Sequence, residues 1–223
     1  MRTALVFTAL ALVGASAAIA DEEVNHPFSA SVARGGIRRV IVDIPAGEVS
    51  LRNGVTDRIS ISGVVERSYD GYRRREKQQQ IVDDIGAEIF VNGSEALIRR
   101  KFGPNAQGWS AKSWHSSYRV TVEVPRGVDV DIETRYGELK LDGEFGNINV
   151  DLRAGEIHLR TPRAAVHELN ASVRIGEVHT DFGEDREDHE GIFPSSTHFI
   201  NVGGRSRINV HTTVGELHVT LTK

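Results

Sequence analysis

The amino-acid sequence predicts an all-β protein, organised as a single-chain β-solenoid-like repeat domain with one short helical insert. A five-residue phrase recurs along the chain: glycine, glutamate, an aliphatic residue, a polar residue and a second core-sized residue. Recurrence at a nearly fixed interval is typical of proteins whose repeats stack and share one core. Within the phrase, aliphatic and polar residues alternate, which indicates a β-strand and not a helix.

The copies of this phrase are concentrated in the second half of the chain. They begin at Gly137, Gly155, Gly176 and Gly215, with an outlying copy at Gly47. The usual interval is about 20 residues, as in many repeat proteins. The last interval is twice as long, as if one intervening copy had lost its Gly-Glu. A half-step copy at residues 146–150 lies midway between Gly137 and Gly155.

The alternation within each copy predicts which side chains are buried. Successive side chains of a strand point to opposite faces, so Leu139 and Leu141 should enter the core while Glu138 and Lys140 face outward. The same parity predicts buried positions in the other copies at Ile157, Leu159, Val178, Leu217 and Val219. The glycine supplies the backbone freedom that a tight corner requires.

Stacking in register would align equivalent outward residues in rows about 4.8 Å apart. One row would contain glutamates, and a neighbouring row would contain Lys140 and three histidines. A metal or pH-responsive strip is one interpretation, because His and Glu are ordinary zinc ligands and His titrates near neutrality. The candidate metal ligands are His158, His179, His218, Glu156 and Glu177.

The alternative interpretation of these rows is structural. A cationic or titratable row beside stacked glutamates offsets their repulsion by about 0.2–1 kcal/mol per pair. We favour this interpretation from the sequence, because the histidines are otherwise scattered and no tight ligand spacing appears. The sequence therefore predicts no cofactor.

The repeat pattern is interrupted before residue 85. Good helix formers without a period of two predict a short amphipathic helix over residues 71–84. Alternation resumes at Ile85, and Asn92-Gly93 predicts a hairpin turn. A second irregular insert, at residues 182–196, is acidic and is predicted to be a loop.

The first 20 residues have the pattern of a signal peptide. Arg2 is followed by an apolar run and by an Ala-x-Ala site ending at Ala20, which predicts cleavage before Asp21. We expect residues 1–20 to be the signal peptide, 21–39 a polar leader, and 40–223 the β-strand-repeat domain. A periplasmic or secreted location follows, with no membrane span after cleavage.

Composition excludes several classes of protein. The formal net charge of −4 argues against a dedicated nucleic-acid binder. The absence of cysteine excludes disulfides, thiolate metal sites and a cysteine nucleophile. The remaining partners are an unknown envelope protein or a polysaccharide.

The most loop-like stretch, residues 102–117, carries a candidate binding site. It holds both tryptophans, Trp109 and Trp114, with His115 beside the second. Tryptophans in such a loop can stack on a sugar or anchor a protein partner. They can equally fold back and close one end of the repeat core, since their large apolar area is more often buried.

The sequence resembles a known family in the segment at residues 122–132, Val-Glu-Val-Pro-Arg-Gly-Val-Asp-Val-Asp-Ile, which runs into the Gly-Glu copies. This arrangement is similar to the putative-adhesin, β-strand-repeat family of exported bacterial proteins, from about residue 40 onward. The resemblance implies a right-handed, solenoid-like β domain with an adhesin-like role. It implies no catalytic residues.

The sequence leaves three functions open. The leading one is a non-catalytic exported protein that presents a binding surface in the cell envelope or outside the cell. A β-helix carbohydrate-active enzyme and a metal- or pH-responsive envelope protein are the alternatives. Motifs for a nucleophile elbow, a phosphate loop or a His-Glu-x-x-His zinc site are missing from the sequence, so no enzyme is predicted.

Overall fold

A computed structural model describes residues 22–69, 75–106, 116–182, 186–189 and 194–223. Thirteen strands, one α-helix and a short 3-10 turn at Pro104–Ala106 make up its regular elements. In chain order they are β1 (Glu22–Ala33), β2 (Arg39–Asp43), β3 (Ala46–Asn53), β4 (Arg58–Tyr69), α1 (Arg75–Asp83), β5 (Ile85–Asn92), β6 (Glu95–Phe102), β7 (Ser116–Val124), β8 (Asp129–Asp142), β9 (Ile148–Pro162), β10 (Val166–Asp181), β11 (Arg186–His189), β12 (Ser195–Ile200) and β13 (Ser206–Thr222).

The strands form one large mixed sheet. Its main path runs in the order β1-β4-β7-β3-β8-β9-β13-β10-β11, while β2, β5, β6 and β12 pair off this path. The predicted all-β class is therefore confirmed, together with one short helix. The structure does not show the predicted solenoid, because this sheet is open and ends at β1 and β11.

We call β8, β9, β10 and β13 the long strands. In each of them, the alternation of buried and exposed positions shifts by one residue near the repeated glycine. The first half of β8 pairs with β2, and its second half pairs with β3, so β2 and β3 together match one long strand. In β8, Val130 and Ile132 are buried before Gly137, whereas Leu139 and Leu141 are buried after it. Both halves contribute to one hydrophobic core.

The repeated copies are in register but not in chain order. Gly47, Gly137, Gly155, Gly215 and Gly176 are successive neighbours across the sheet. Strand β13 lies between β9 and β10, which are consecutive in the chain. The half-step copy at residues 146–150 is not a separate repeat, because its residues 148–150 form the first part of β9.

These glycines are required by the close approach of neighbouring strands. All five have positive φ, between 121° and 142°. A Cβ atom on any of them would overlap a carbonyl oxygen of the next strand: of Tyr118 for Gly47, and of the preceding glycine in the row for the others. Any other residue would therefore meet both backbone strain and a steric clash.

The predicted core positions are confirmed. Side-chain burial follows the alternation in every copy, with relative exposures of 0–1% for Leu139, Leu141, Ile157, Leu159, Val178, Leu217 and Val219. Tyr118, on the neighbouring β7, is also buried, and its hydroxyl has no hydrogen-bond partner within the described residues. Burial raises the pKa of this phenol above its usual range, while Arg100 opposes the shift.

The predicted helix and hairpin are confirmed with adjusted bounds. Helix α1 lies within the predicted segment, and its buried Gln78 accepts a hydrogen bond of 3.1 Å from Arg67 Nε on β4. Strands β5 and β6 form the antiparallel hairpin, with Gly93 at positive φ in its turn. The segment predicted as a polar leader contributes β1, which pairs antiparallel with β4.

The predicted loop at residues 182–196 is wrong in part. Within it, β11 pairs antiparallel with the end of β10, from Val178 to Asp181. Strand pairing uses backbone N–H and C=O groups. An acidic set of side chains therefore does not prevent it. Among the described residues, no helix is long and apolar enough to cross a membrane.

Candidate functional site

The repeated copies build two adjacent rows of polar side chains on the outer face of the sheet. We call the first the glutamate row, which contains Glu48, Glu138, Glu156, Glu216 and Glu177 in spatial order. We call the second the histidine row, which contains His158, His218 and His179 on β9, β13 and β10. Lys140 of β8 occupies the equivalent position next to His158.

At the β3–β8 end of the glutamate row, the carboxylates are paired with permanent cations. Lys140 Nζ lies 2.9 Å from Oε1 of Glu48 and 2.9 Å from Oε1 of Glu138. Arg119 Nε lies 3.7 Å from Glu48. The hydrogen bonds from Lys140 to Glu48 and Glu138 raise the pKa of the Lys140 ammonium group.

Toward β10, histidine replaces lysine beside the carboxylates. His158 Nε2 lies 2.9 Å from Glu156 and 3.4 Å from Glu138. His218 Nε2 lies 3.3 Å from both Glu156 and Glu216. In the described part of the chain, no Lys or Arg nitrogen comes within 4.0 Å of the carboxylates of Glu156 and Glu216.

The three imidazole rings form a stack along the row. The ring centroids of His158 and His218 are 4.8 Å apart and their planes differ by 8°. Those of His218 and His179 are also 4.8 Å apart, with planes 13° apart. The side chains are 29–39% exposed, so a solute can reach them.

Two overlapping groups of potential metal ligands result from this geometry. One consists of Glu156, His158 and His218, and the other of His179, Glu216 and His218. Within each group, the ligand atoms all lie within 4.8 Å of one another. The sequence-derived metal candidates are thus brought to one surface, with Glu177 Oε2 lying 3.3 Å from His179 Nε2.

A second polar surface lies on the first halves of the same long strands. We call it the asparagine row: Asp131, Asn149, Asn209 and Asn170, on β8, β9, β13 and β10. Asn149 Nδ2 donates to Asp131 Oδ1 at 2.8 Å, and Asn209 Nδ2 donates to Asn149 Oδ1 at 3.1 Å. Asn170 Nδ2 donates to Asn209 Oδ1 at 3.2 Å.

Two shallow depressions flank the asparagine row, and both share Asp131, Asn149 and Asn209 as lining residues. The larger has a volume of about 580 Å³ and the smaller about 470 Å³. Other polar side chains of the larger depression are Arg39, Asp129, Asn147, His167, Arg205 and Arg207. The surface is therefore rich in both donors and acceptors.

The smaller depression holds the arrangement closest to a hydrolytic site. Ser172 Oγ lies 3.1 Å from His211 Nδ1. Asp151 is the register partner of His211 on the neighbouring strand β9. A Ser-His-Asp triad requires the carboxylate to hold the imidazole by a hydrogen bond. Among the described residues, no carboxylate oxygen lies within 4.0 Å of either ring nitrogen of His211, so the triad is incomplete.

The tryptophan site predicted from the sequence stays a prediction. Trp109, Trp114 and His115 lie outside the described residues. Sequence reasoning missed the asparagine row, although a signal for it exists. Asn149, Asn170 and Asn209 each occur at the same distance before a repeated Gly-Glu.

Comparison with known proteins adds information on the fold. A "putative cell adhesion protein" from Clostridium sporogenes has a similar structure, with a TM-score of 0.50 and 10% sequence identity. The match covers 89% of this chain and 100% of that one. A "putative adhesin" from Parabacteroides merdae is 7% identical with a TM-score of 0.29, over 86% of this chain and 81% of that one.

The similarity to the Clostridium sporogenes protein confirms, at the level of fold, the resemblance to adhesin-like proteins seen in the sequence. A similar structure from Bacteroides fragilis, also described as a "putative adhesin", has a TM-score of 0.29 and 8% identity. It matches 87% of this chain and 97% of its own. No protein-family model matches the chain, and no curated protein matches it.

Proposed function

We propose that the protein is an exported, non-catalytic binding module that holds a polysaccharide of the cell envelope along its asparagine row. The observation that carries this proposal is the continuous chain of side-chain amide hydrogen bonds across β8, β9, β13 and β10. The signal-peptide pattern of residues 1–20 supports a periplasmic or secreted location.

The amide chain is suited to a polymer that carries many hydroxyl groups. Each asparagine side chain has two N–H donors and a carbonyl acceptor. Asn149 and Asn209 each use one donor and the carbonyl inside the row, and Asn170 donates to Asn209 and to Glu168 Oε1. The remaining groups of Asn149, Asn209 and Asn170 are exposed. Neighbouring strands repeat them about every 4.8 Å, so a chain molecule can make the same contact several times.

The row is also held in place before any ligand arrives. Each amide is fixed by its neighbour, so less side-chain freedom is lost on binding. Asp131 at one end is further fixed by Arg39 Nε, at 2.7 Å from its carboxylate. A preorganised surface of this kind supports binding without a chemical step.

A non-catalytic role is supported by the incomplete set of groups near Ser172. His211 has no carboxylate to orient it among the described residues, and the depression around it is open. A binding role also agrees with the name of the similar Clostridium protein, which is described as a "putative cell adhesion protein". Its sequence identity of 10% supports a shared fold only.

Binding to polysaccharides tests the proposal directly. We would measure co-sedimentation with purified peptidoglycan and titrate a panel of soluble envelope polysaccharides by calorimetry. Replacing Asn149 or Asn209 with Ala should weaken binding by about 3- to 10-fold each, since one hydrogen bond contributes about 0.5–1.5 kcal/mol. Gln80→Ala, an exposed amide on α1, is the matched control.

The outcome against this proposal is equally definite. Equal retention of the wild type and both asparagine variants on every polysaccharide would exclude the row as the binding surface. Release of shortened sugar products would show that the protein is an enzyme. Cell fractionation tests export separately: we expect a form that begins at Asp21 in the periplasm or medium, and a full-length cytosolic form would contradict it.

A further inference from the structure

We propose that the histidine row binds one divalent transition-metal ion of the zinc class, with His218 as the central ligand. Glu156 and His158 complete the ligand group on one side of His218, and Glu216 and His179 complete it on the other. This site lies on the second halves of the long strands. It is therefore separate from the asparagine row and does not depend on the function proposed for that row.

The strand order is the first observation behind this inference. His158 and His179 lie on β9 and β10, which are adjacent in sequence but not in the sheet. Insertion of β13 places His218 between them, in register with both. Three imidazoles thereby form one continuous stack, which the chain order alone does not produce.

The positions of the carboxylates are the second observation. Glu156 lies two residues before His158 and on the same face of β9, so its side chain comes beside both His158 and His218. Its Oε1 atom lies 2.9 Å from His158 Nε2 and 3.3 Å from His218 Nε2. On the other side, Glu216 Oε2 lies 3.3 Å from His218 Nε2.

Only a small adjustment would convert these contacts into metal coordination. With metal–nitrogen distances of about 2.0–2.1 Å, tetrahedral ligand atoms are roughly 3.3 Å apart. The two distances from His218 Nε2 to the carboxylates of Glu156 and Glu216, both 3.3 Å, already match this value. The widest separation within a group is no more than 4.8 Å, and the partly exposed rings can tilt toward each other to close it.

The chemistry of the ligands selects the class of metal. Imidazole nitrogen suits zinc, copper and nickel, whereas calcium and magnesium prefer oxygen ligands in larger numbers. Two nitrogens and one carboxylate oxygen leave a fourth position for water. We therefore expect Zn²⁺ to bind and Ca²⁺ or Mg²⁺ not to compete with it.

The contrast with Lys140 argues against charge balance as the sole role of the histidines. At the equivalent position of β8, Lys140 bridges two glutamates at 2.9 Å, and a lysine is a permanent cation at neutral pH. Lysine at the other three positions would neutralise the glutamate row equally well. Histidines there instead provide nitrogen lone pairs. A dication would neutralise Glu156 and Glu216, for which the described residues provide no Lys or Arg partner.

Calorimetric titration of tag-free, metal-free protein with Zn²⁺ tests this inference. We expect saturable binding of one ion per chain and a rise in melting temperature, because a ligand that binds only the folded state stabilises it. Co²⁺ in place of Zn²⁺ should give the visible absorption of a low-coordinate nitrogen and oxygen site, which loosely associated ions do not give.

Variants separate the central ligand from the flanking ones. His218→Gln should weaken binding by more than about 100-fold, since even residues that only orient a ligand cost 10–100-fold. His158→Gln or His179→Gln alone should cost less than about 10-fold, because the other ligand group remains, and the double variant should match His218→Gln. His198→Gln, another exposed histidine, is the control and should bind normally.

Two outcomes would overturn the inference. One is the absence of saturable Zn²⁺ binding to the wild type. The other is binding that His218→Gln leaves unchanged while its melting temperature without metal equals that of the wild type. Because the variants of His158, His179 and His218 do not alter the asparagine row, failure here is distinguishable from failure of the polysaccharide proposal.

Discussion

The α-carbon of Gly155 faces the carbonyl oxygen of Gly137 on the neighbouring strand so closely that no Cβ atom fits between them. The same relationship repeats between Gly215 and Gly155, and between Gly176 and Gly215. Glycine is therefore the residue that lets the long strands stack in register at their change of parity.

Replacing Gly155 with Ala should strongly destabilise the protein. The new methyl group meets a backbone carbonyl, and the positive φ of 142° adds backbone strain. We expect a loss of about 2–4 kcal/mol in the free energy of unfolding, measured by urea denaturation. Gly36→Ala is the matched control, because its added Cβ would have no atom within 4 Å. Equal stability of the two variants would contradict this account.

Truncation of a core residue in the repeats should leave a cavity. Ile157 and Leu217 have 0% relative exposure and are paired in adjacent strands. Ile157→Ala or Leu217→Ala should each lower the free energy of unfolding by about 2–5 kcal/mol. Arg160→Ala, on the exposed face of the same strand as Ile157, should change it by less than about 0.5 kcal/mol. A similar cost at both kinds of position would show that the parity is wrong.

Lys140 should make stability depend on pH in the alkaline range. Hydrogen bonds to Glu48 and Glu138 raise its pKa in the folded state. Its contribution is therefore complete below the unfolded pKa of about 10.4 and declines as pH rises through the folded value. Lys140→Met should lower stability at pH 8 and flatten its decline above about pH 10. A variant with the wild-type decline would exclude Lys140 as its source.

Tyr118 should contribute to the same alkaline decline for a different reason. Burial raises the pKa of its phenol, so ionisation opposes folding as pH rises above the unfolded value of about 10. Tyr118→Phe should remove this contribution. It should also raise the free energy of unfolding near neutral pH by about 1 kcal/mol, because the buried hydroxyl has no partner among the described residues. Lower stability of Tyr118→Phe would indicate a partner for the hydroxyl.

The sequence predicted the local features of this fold, because those are encoded in neighbouring residues. The alternation around Leu139 and Ile157 indicated their burial, and Asn92-Gly93 indicated a hairpin. It did not predict that Gly215 would lie between Gly155 and Gly176, since this order depends on contacts between distant segments. A β-solenoid and an open sheet share the same alternation of buried and exposed residues, so the alternation did not distinguish between them.

The candidate sites were also predicted only in part from the sequence. The register of the copies was enough to expect a row of glutamates beside His158, His179 and His218. The stack of the three rings requires the position of β13, which the spacing of the copies does not reveal. The asparagine row was overlooked for a simpler reason: the Asn that precedes Gly155, Gly176 and Gly215 resembles any other polar strand residue until the strands are aligned.

The position of β13 also constrains the order in which this molecule can be completed. Both of its neighbours, β9 and β10, leave the ribosome before it, and Asp181 has emerged well before Ser206. Until then, the edge of β9 and the edge of β10 that will contact β13 both have unpaired backbone groups. A chain interrupted in this interval is therefore not a shorter version of the sheet but a sheet with an open slot between β9 and β10. Such a slot accepts any extended strand that reaches it first, including the β13 of another copy.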